Sequence, residues 1–327
     1  MSKNVIVTGG AGYIGSMTAK VLKEKGYNPV SVDNLQTGFK ELVKFGPFEE
    51  ADIGDVNAME AIFEKYKPIA VIHFAASLLV EESTKIPLVY YKNNVAATLN
   101  LLQVMLEQKI NNIVFSSTAA LFGNPDSDLI KEDNPINPIN PYGKSKAMVE
   151  AILGDLDSSY GLKFTNLRYF NVVGADPELT VGECHTPGTH LFPLIFYRAN
   201  KGKEVLIYGD DYNTKDGTCI RDYVHVKDLA VAHVLAMEKL LENGQSVKIN
   251  LGNGKGFSVK EIVSAAKKVT GIDFKVQVTA RRAGDPARLV SDISFSRKYL
   301  GWQPQFVNVE SSLEHAWLWF KKFHKID

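Results

Sequence analysis

A chain of 327 residues that is 45% hydrophobic is long enough to bury a large core, as one big domain or two linked lobes. Lys plus Arg equals Asp plus Glu at 37 each, which excludes the basic footprint of a nucleic-acid or anionic-lipid binder and leaves a small molecule as the expected partner. No run of about 20 apolar residues occurs, and Met1 leads straight into Val5, Ile6 and Val7 without a signal-type apolar region, so no membrane role and a cytoplasmic location are expected.

Short β-branched runs alternate with stretches of i, i+3, i+4 apolar spacing through the first half. Strands are predicted at 5–8, 29–32, 48–51, 70–74, 112–116 and 164–167. Helices are predicted at 14–25, 58–66, 88–108 and 144–156. Near-continuously apolar strands in a strict βα alternation predict an α/β fold, a doubly wound parallel sheet of Rossmann type, over 1–174. From Gly174 onward strands are expected to be fewer. Loops at 176–188 and 209–217 carry Gly, Pro and Asp, and shorter helices are predicted at 229–242 and 259–270. Residues 175–327 therefore read as a smaller capping lobe for substrate, with the helix from Leu229 able to pack back on the first sheet. The segment Lys321 to Lys325 reads as a solvated helix end. Cys184 and Cys219 read as free thiols of a reducing compartment, and no Cys or His spacing predicts a metal.

After the first strand comes Thr8, Gly9, Gly10, Ala11, Gly12, Tyr13, Ile14, Gly15. Gly9, Gly12 and Gly15 permit a tight turn, close backbone approach to a pyrophosphate and close helix packing, while the helix N-terminus offers N–H donors to the anion. Asp33 closes the second strand about 20 residues on, where a carboxylate accepts from both ribose hydroxyls and repels a 2′-phosphate. NAD is thus expected over NADP. The competing reading of Asp33 is a turn former beside Asn34.

Tyr142 and Lys146 stand four apart, so on a helix the ammonium can stabilise a phenolate. A phenol of pKa about 10 must fall by roughly 3 units, or about 4 kcal/mol, to act as a base near neutrality. The same spacing recurs as Tyr197 with Lys201 and Tyr223 with Lys227. Location selects the first pair. Tyr142 follows the breaker Asn140-Pro141 and the strand ending Ser116, Ser117, Thr118, at the ligand edge of an open sheet, whereas Tyr223 lies in a strand-like run and Tyr197 in the capping lobe. Thr118 is the expected hydroxyl partner, with a strand-end cap as its plainer role.

These residues resemble the extended short-chain dehydrogenase/reductase superfamily and, within it, the UDP-glucose (UDP-galactose) 4-epimerases. The likeness runs through TGGAGYIG at Thr8, VDNL at Val32, HFAA at His73, YYKNNV at Tyr90, FSST at Phe115, PYGKSK at Pro141, LRYFNVVGA at Leu167, GTCIRDYVHVKDLA at Gly217 and RRAGDPA at Arg281. The resemblance implies that Tyr13, Ile14, Asp33, Asn34, Asp52, Ile53, Phe74, Ala75, Ala76, Asn94, Tyr142, Lys146 and Phe170 line NAD. It implies that Asn171, Arg221 and Arg282 hold the UDP pyrophosphate, that Asp285 accepts from the uridine ribose, and that Tyr208 borders the uracil. It further implies a homodimer built on the helices at 88–108 and 144–156, and interconversion of UDP-galactose and UDP-glucose through a 4-keto sugar.

The chain departs from the family pattern in places. Thr118 replaces the usual Ser, Phe122 the usual Tyr, Leu78 a polar or basic residue and Glu81 a Gly. Leu289, where members restricted to plain hexoses carry Tyr, implies room for N-acetylated sugars; the alternative is that it only packs the lobe. The rival functions are a 4,6-dehydratase or decarboxylase, which would want a carboxylate where Ala119 and Ala120 stand, and a noncatalytic NAD-sensing protein, which would not need Tyr142, Lys146 and Thr118 together.

Overall fold

The computed structural model describes residues 3–185, 191–282 and 285–326. In β1 (Asn4–Thr8), Val5, Ile6 and Val7 are all fully buried although successive side chains point to opposite faces, so the strand is covered on both sides. The chain supplies that cover as it winds. α1 (Tyr13–Glu24), β2 (Asn28–Asp33), β3 (Phe48–Glu50), α2 (Val56–Tyr66) and β4 (Ala70–His73) follow in order. Next come two short helices, α3 (Val80–Lys85) and α4 (Pro87–Tyr91), a π turn at Lys92–Ala96, and α5 (Ala97–Glu107). β5 (Asn112–Ser116), a 3-10 turn at Ala119–Phe122, α6 (Pro141–Tyr160) and β6 (Lys163–Tyr169) complete this stretch.

The second half contributes β7 (Asn171–Val173), α7 (Leu191–Asn200), β8 (Val205–Tyr208), β9 (Ile220–His225), α8 (Val226–Asn243) and β10 (Val247–Leu251). After these lie β11 (Gly256–Ser258), α9 (Val259–Thr270), β12 (Val276–Thr279), β13 (Arg288–Leu289), α10 (Ser294–Leu300) and α11 (Val309–His324).

The main sheet is a doubly wound α/β sheet of seven strands in the order β10-β6-β5-β4-β1-β2-β3, with every neighbouring pair parallel. On one face Val5, Val7, Ile72 and Leu167 pack with Met17 and Val21 of α1 and Leu229 and Ala236 of α8. On the other, Ile6, Val71, Ile113 and Phe115 pack with Phe63 of α2, Leu101 of α5 and Val149 of α6. The smaller lobe centres on β9, flanked by β7, β11 and β13, with β8 and β12 as a separate parallel pair. Its core holds Phe192, Phe196, Tyr223, Trp317 and Phe320.

Three expectations need correction. The helix predicted in one piece at 88–108 is interrupted by the π turn, whose extra residue rotates the following face and turns Asn94 inward to 2% exposure. The second half is richer in strands than its composition suggested. β10 joins the main sheet beside β6, and its alternating Lys248 and Asn250 disguise it because an edge strand is paired on one side only. The first sheet is therefore built from two separate stretches of chain, with α8 packed on α1. Finally, the end of α11 is not simply solvated. Phe323 sets its ring edge-on to Phe39 at 6.1 Å, and Lys322 donates to the Leu179 carbonyl at 2.8 Å.

Candidate active site

The strand order reverses between β1 and β4, and the carboxyl ends of the strands around that point form the crevice where open α/β sheets take ligands. Gly9 has φ +70°, and a Cβ there would come within 2.8 Å of the Ala75 backbone nitrogen. Gly12 is the N-cap of α1, and a Cβ on Gly15 would strike the Gly9 carbonyl. Gly9 and Gly15 are thus demanded by the loop's close packing on Ala75 and on its own carbonyl, which holds the N-terminus of α1 at Gly12 where its N–H groups suit a dinucleotide pyrophosphate. The Tyr13 hydroxyl donates to the Gly174 carbonyl at 2.5 Å, and Ile14 packs beside the core.

Asp33, 9% exposed, ends β2 and accepts from Ala11 N at 3.0 Å and Leu35 N at 2.9 Å. It is both a turn former, since Leu35 has φ +57°, and a clamp on the glycine loop. Burial pushes its carboxyl up while the two N–H bonds pull it back. Asp52 accepts from Asn34 Nδ2 at 2.8 Å and Gly54 N at 2.7 Å, with buried Ile53 beside it. Phe74 lies 4.6 Å from the His233 ring, and Ala75 and Ala76 follow it half-buried at the strand end. Asn94 donates to the Ser77 carbonyl at 2.9 Å and to Ser145 Oγ at 3.1 Å, so the π turn ties the loop after β4 to α6.

Asn140 caps α6 by accepting from Gly143 N at 2.8 Å, and Pro141 stands in the first turn with its φ already suited to a helix. That start fixes Tyr142 one turn ahead of Lys146. Lys146 is buried, donates to the Ser116 carbonyl at 2.9 Å and lies 4.8 Å from the Phe115 ring. Burial lowers its ammonium to about 7, opposed by the negative charge of Glu150. Burial raises the Tyr142 phenol, and hydrogen bonding with the Thr118 side chain lowers it. Thr118 Oγ1 also accepts from Ala120 N at 3.1 Å, so the capping role and the contact with Tyr142 coexist. Tyr197 and Tyr223 belong elsewhere. Tyr223 is buried edge-on to Phe192 at 5.0 Å, and Tyr197 packs on the same core of the smaller lobe.

Across the crevice, Arg221 of β9 donates to Asp285 at 2.5 Å and to the Ile220 carbonyl at 2.8 Å. Arg282 stacks its guanidinium 4.0 Å from the Tyr208 ring, and Asn171 Nδ2 donates to the Asp222 carbonyl at 3.2 Å. Leu289, like Phe170 and Ala147, packs against the buried cluster of Ala119, Leu121, Phe122 and Ile130 at the turn that follows Thr118. Leu78 is exposed, and Glu81 pairs with Lys85 at 2.7 Å; Lys85, with a contribution from Arg282, holds the Glu81 carboxyl low. The residues expected at a cofactor site therefore fall at the carboxyl ends of the main-sheet strands and those expected at a nucleotide-sugar site on the smaller lobe, which come together where Leu289 packs on the turn after Thr118 and Arg282 acts on Glu81. Sequence reading passed over Ser117, Glu150 and Arg168, which form a buried network beneath Tyr142 and Lys146. The signal was Glu150 one turn beyond Lys146 on the same helix face.

A glycine loop on the first βα turn, an acid at the end of β2 and a Tyr and Lys on one face of α6 define a dinucleotide-dependent α/β protein of the extended short-chain dehydrogenase/reductase type. The chain belongs to the NAD dependent epimerase/dehydratase family, which it matches over residues 5–252. It is 47% identical over 319 residues to the UDP-glucose 4-epimerase of Halalkalibacterium halodurans, covering 97% of this chain and 96% of that one. It superposes on the crystal structure of UDP-glucose 4-epimerase from Brucella ovis in complex with NAD at a TM-score of 0.94, with 46% identity and coverage of 97% and 98%. The UDP-Glc/GlcNAc 4-epimerase from Campylobacter jejuni is similar at 42% identity and a TM-score of 0.87, over 98% of this chain and 100% of that one. Among the described residues no helix is long and apolar enough to cross a membrane, and no His, Cys, Asp and Glu cluster could hold a metal.

Proposed function

We propose that this chain interconverts UDP-galactose and UDP-glucose by reversible, NAD-dependent oxidation at sugar C4. The observation that carries this is Tyr142 hydrogen-bonded with Thr118, and Lys146 with the Ser116 carbonyl, at the carboxyl end of β5, two strands along the sheet from β1 and its glycine loop. The tightly folded loop of Gly9, Gly12 and Gly15 at the N-terminus of α1 and the carboxylate of Asp33 fit NAD, with Asn34, Asp52, Ile53, Phe74, Ala75, Ala76, Asn94 and Phe170 completing its wall. Bound there, NAD supplies the acceptor, and then the donor, for the electron pair and hydrogen of C4.

The protein's own residues do the rest. Tyr142 takes the proton from the 4-hydroxyl as the 4-keto sugar forms and returns it when the opposite face is reduced. Lys146 stabilises the phenolate, and Thr118 hydrogen-bonds the same oxygen. Arg221 and Arg282 grip the pyrophosphate with Asn171, while Tyr208 and Asp285 take the uridine. Because affinity then resides in UDP, the keto sugar is free to present its other face. Ala119 and Ala120 offer no second base, which disfavours elimination toward a dehydratase product.

Leu289 supports a broader substrate range. It is smaller than Tyr and lines the wall after Thr118 with Phe122 and Phe170, so an N-acetyl group gains space there. We further infer a cytoplasmic homodimer. Ile86, Leu88, Val89, Leu99 and Met148 are exposed apolar residues along α4, α5 and α6, and mutual burial of two such faces accounts for them. In this reading 1–174 with α8 and β10 binds NAD, and the remainder of 175–327 binds the UDP-sugar.

Purified protein incubated with UDP-galactose and no added NAD, with the product sugars then separated, tests the proposal. UDP-glucose is the expected product. No conversion with or without added NAD, or a deoxy-keto product, overturns it.

A further inference from the structure

Tyr142, Lys146 and Glu150 follow one another at one-turn intervals on α6 and so share a face. The Glu150 carboxylate accepts from Arg168 Nε at 3.0 Å, from Arg168 Nη2 at 2.6 Å and from the Ser117 hydroxyl at 2.6 Å. The two charged side chains are 2% and 1% exposed. Ser117 stands between Ser116, whose carbonyl takes the Lys146 ammonium, and Thr118. Arg168 also donates from Nη1 to the Glu132 carbonyl at 2.9 Å, beyond the reach of α6 itself. A guanidinium fork on a carboxylate fixes orientation as well as charge. An ion pair this dry contributes little to stability compared with apolar side chains of the same volume, so its value lies in what it holds in place.

We propose that Glu150 is a positioning residue for the reaction: gripped by Arg168 and Ser117, it locks α6 to the loop after β5 so that Tyr142, Lys146 and Thr118 meet at one point. The inference rests on the C4-oxidation reading above. The carboxylate also has an electrostatic effect, because it opposes the burial that lowers Lys146 to about 7 and so favours the ammonium beside Tyr142. The other ionisable groups around this pair do not share that effect. His73 of β4 is held neutral by burial and by Lys146, with a pKa of about 3. Tyr169 of β6 and Tyr90 of α4 are raised by burial and stay neutral, and the Arg168 guanidinium is taken up by Glu150 and the Glu132 carbonyl.

The test uses the NAD-loaded protein with Glu150→Gln, Arg168→Met and the double variant. Three quantities are read: the melting temperature, the pH dependence of kcat on UDP-galactose, and the Lys146 titration by NMR of 13Cε-lysine, assigned with Lys146→Met. Glu150→Gln is expected to lower kcat on the order of 10- to 100-fold with little change in KM. It should also move both the Lys146 midpoint and the alkaline limb of kcat to lower pH by roughly 1 unit. The double variant, which leaves neither Glu150 nor Arg168 as an unpartnered buried charge, should regain the melting temperature without regaining kcat or the midpoint, and it decides the matter if the single variant does not fold. Wild-type kcat and midpoint in Glu150→Gln, or their full return in the double variant, overturn the proposal by making the pair purely structural. A wild-type protein inert toward UDP-galactose overturns the underlying reading instead, while the substrate-free titration still decides whether Glu150 sets the Lys146 ammonium.

Discussion

The two walls of the crevice are built differently. On the sheet side, Asp33, Asn94, Thr118 and Lys146 are each 9% exposed or less and are already hydrogen-bonded into the backbone or to one another. On the smaller lobe, Arg221 is engaged with Asp285, Arg282 is exposed and lies flat on Tyr208, and Leu289 is only half-buried. The sheet side is therefore preorganised, and a ligand arriving there meets groups whose positions are fixed. The lobe side holds its cations on partners that, under the proposed function, a pyrophosphate would share or displace. The contrast teaches that chemistry and cofactor grip should resist perturbation of the medium, while nucleotide-sugar affinity should be soft to it.

The largest expected break in that contrast is Tyr142→Phe. It removes the proton acceptor and keeps the ring, so kcat should fall by about 100- to 10,000-fold while NAD stays bound, measured by turnover and by cofactor absorbance after gel filtration. Tyr197→Phe and Tyr223→Phe should leave turnover near wild type; a wild-type rate in Tyr142→Phe would remove the sheet side from the chemistry altogether.

On the lobe, Arg282→Met should raise KM for UDP-galactose by roughly 10- to 100-fold, the worth of one or two charge-assisted hydrogen bonds, with kcat changed less. Raising the salt concentration should weaken UDP binding, read by calorimetry, while NAD retention holds. Equal salt sensitivity of both ligands would erase the distinction between the walls.

Asp33→Asn sharpens the comparison from the cofactor side. Loss of the charge should relax discrimination against NADP by about tenfold, while the amide, able to accept only at its oxygen, keeps one of the N–H bonds to Ala11 and Leu35. The melting temperature should therefore fall slightly as well. Unchanged cofactor preference with a lowered melting temperature would reduce Asp33 to a clamp on the loop.

The smallest effect is expected at Leu289. Leu289→Tyr should lower turnover of UDP-N-acetylglucosamine relative to UDP-galactose by about tenfold, since the added ring fills the space beside the sugar. Equal slowing of both sugars, or no wild-type activity on the acetylated pair, would mean that Leu289 only packs against Phe122 and Phe170.

Much of this was legible in the chain. The near-continuous apolar runs and the 3.6-residue apolar spacing of 1–174 specify strands and helices, because the strands are covered on both faces and the helices on one. The glycine loop, Asp33 and the capped start of α6 are local devices whose meaning is contained in neighbouring residues. β10 was not legible, since Val247–Leu251 mixes Lys and Asn into a strand that only its pairing with β6 explains. Nor was the inward turn of Asn94, which depends on one extra residue in the π turn. The same holds for the link from Glu150 to Arg168 and Ser117, residues 18 and 33 positions away along the chain. Sequence by itself determined what is set by nearest neighbours and by periodic burial, namely the parallel sheet, the cofactor loop and the Tyr142 and Lys146 pair. Tertiary structure alone decided which distant side chains share a dry space, because hydrogen bonding between buried charges depends on where the strands and helices finally pack and leaves no periodic mark on the chain.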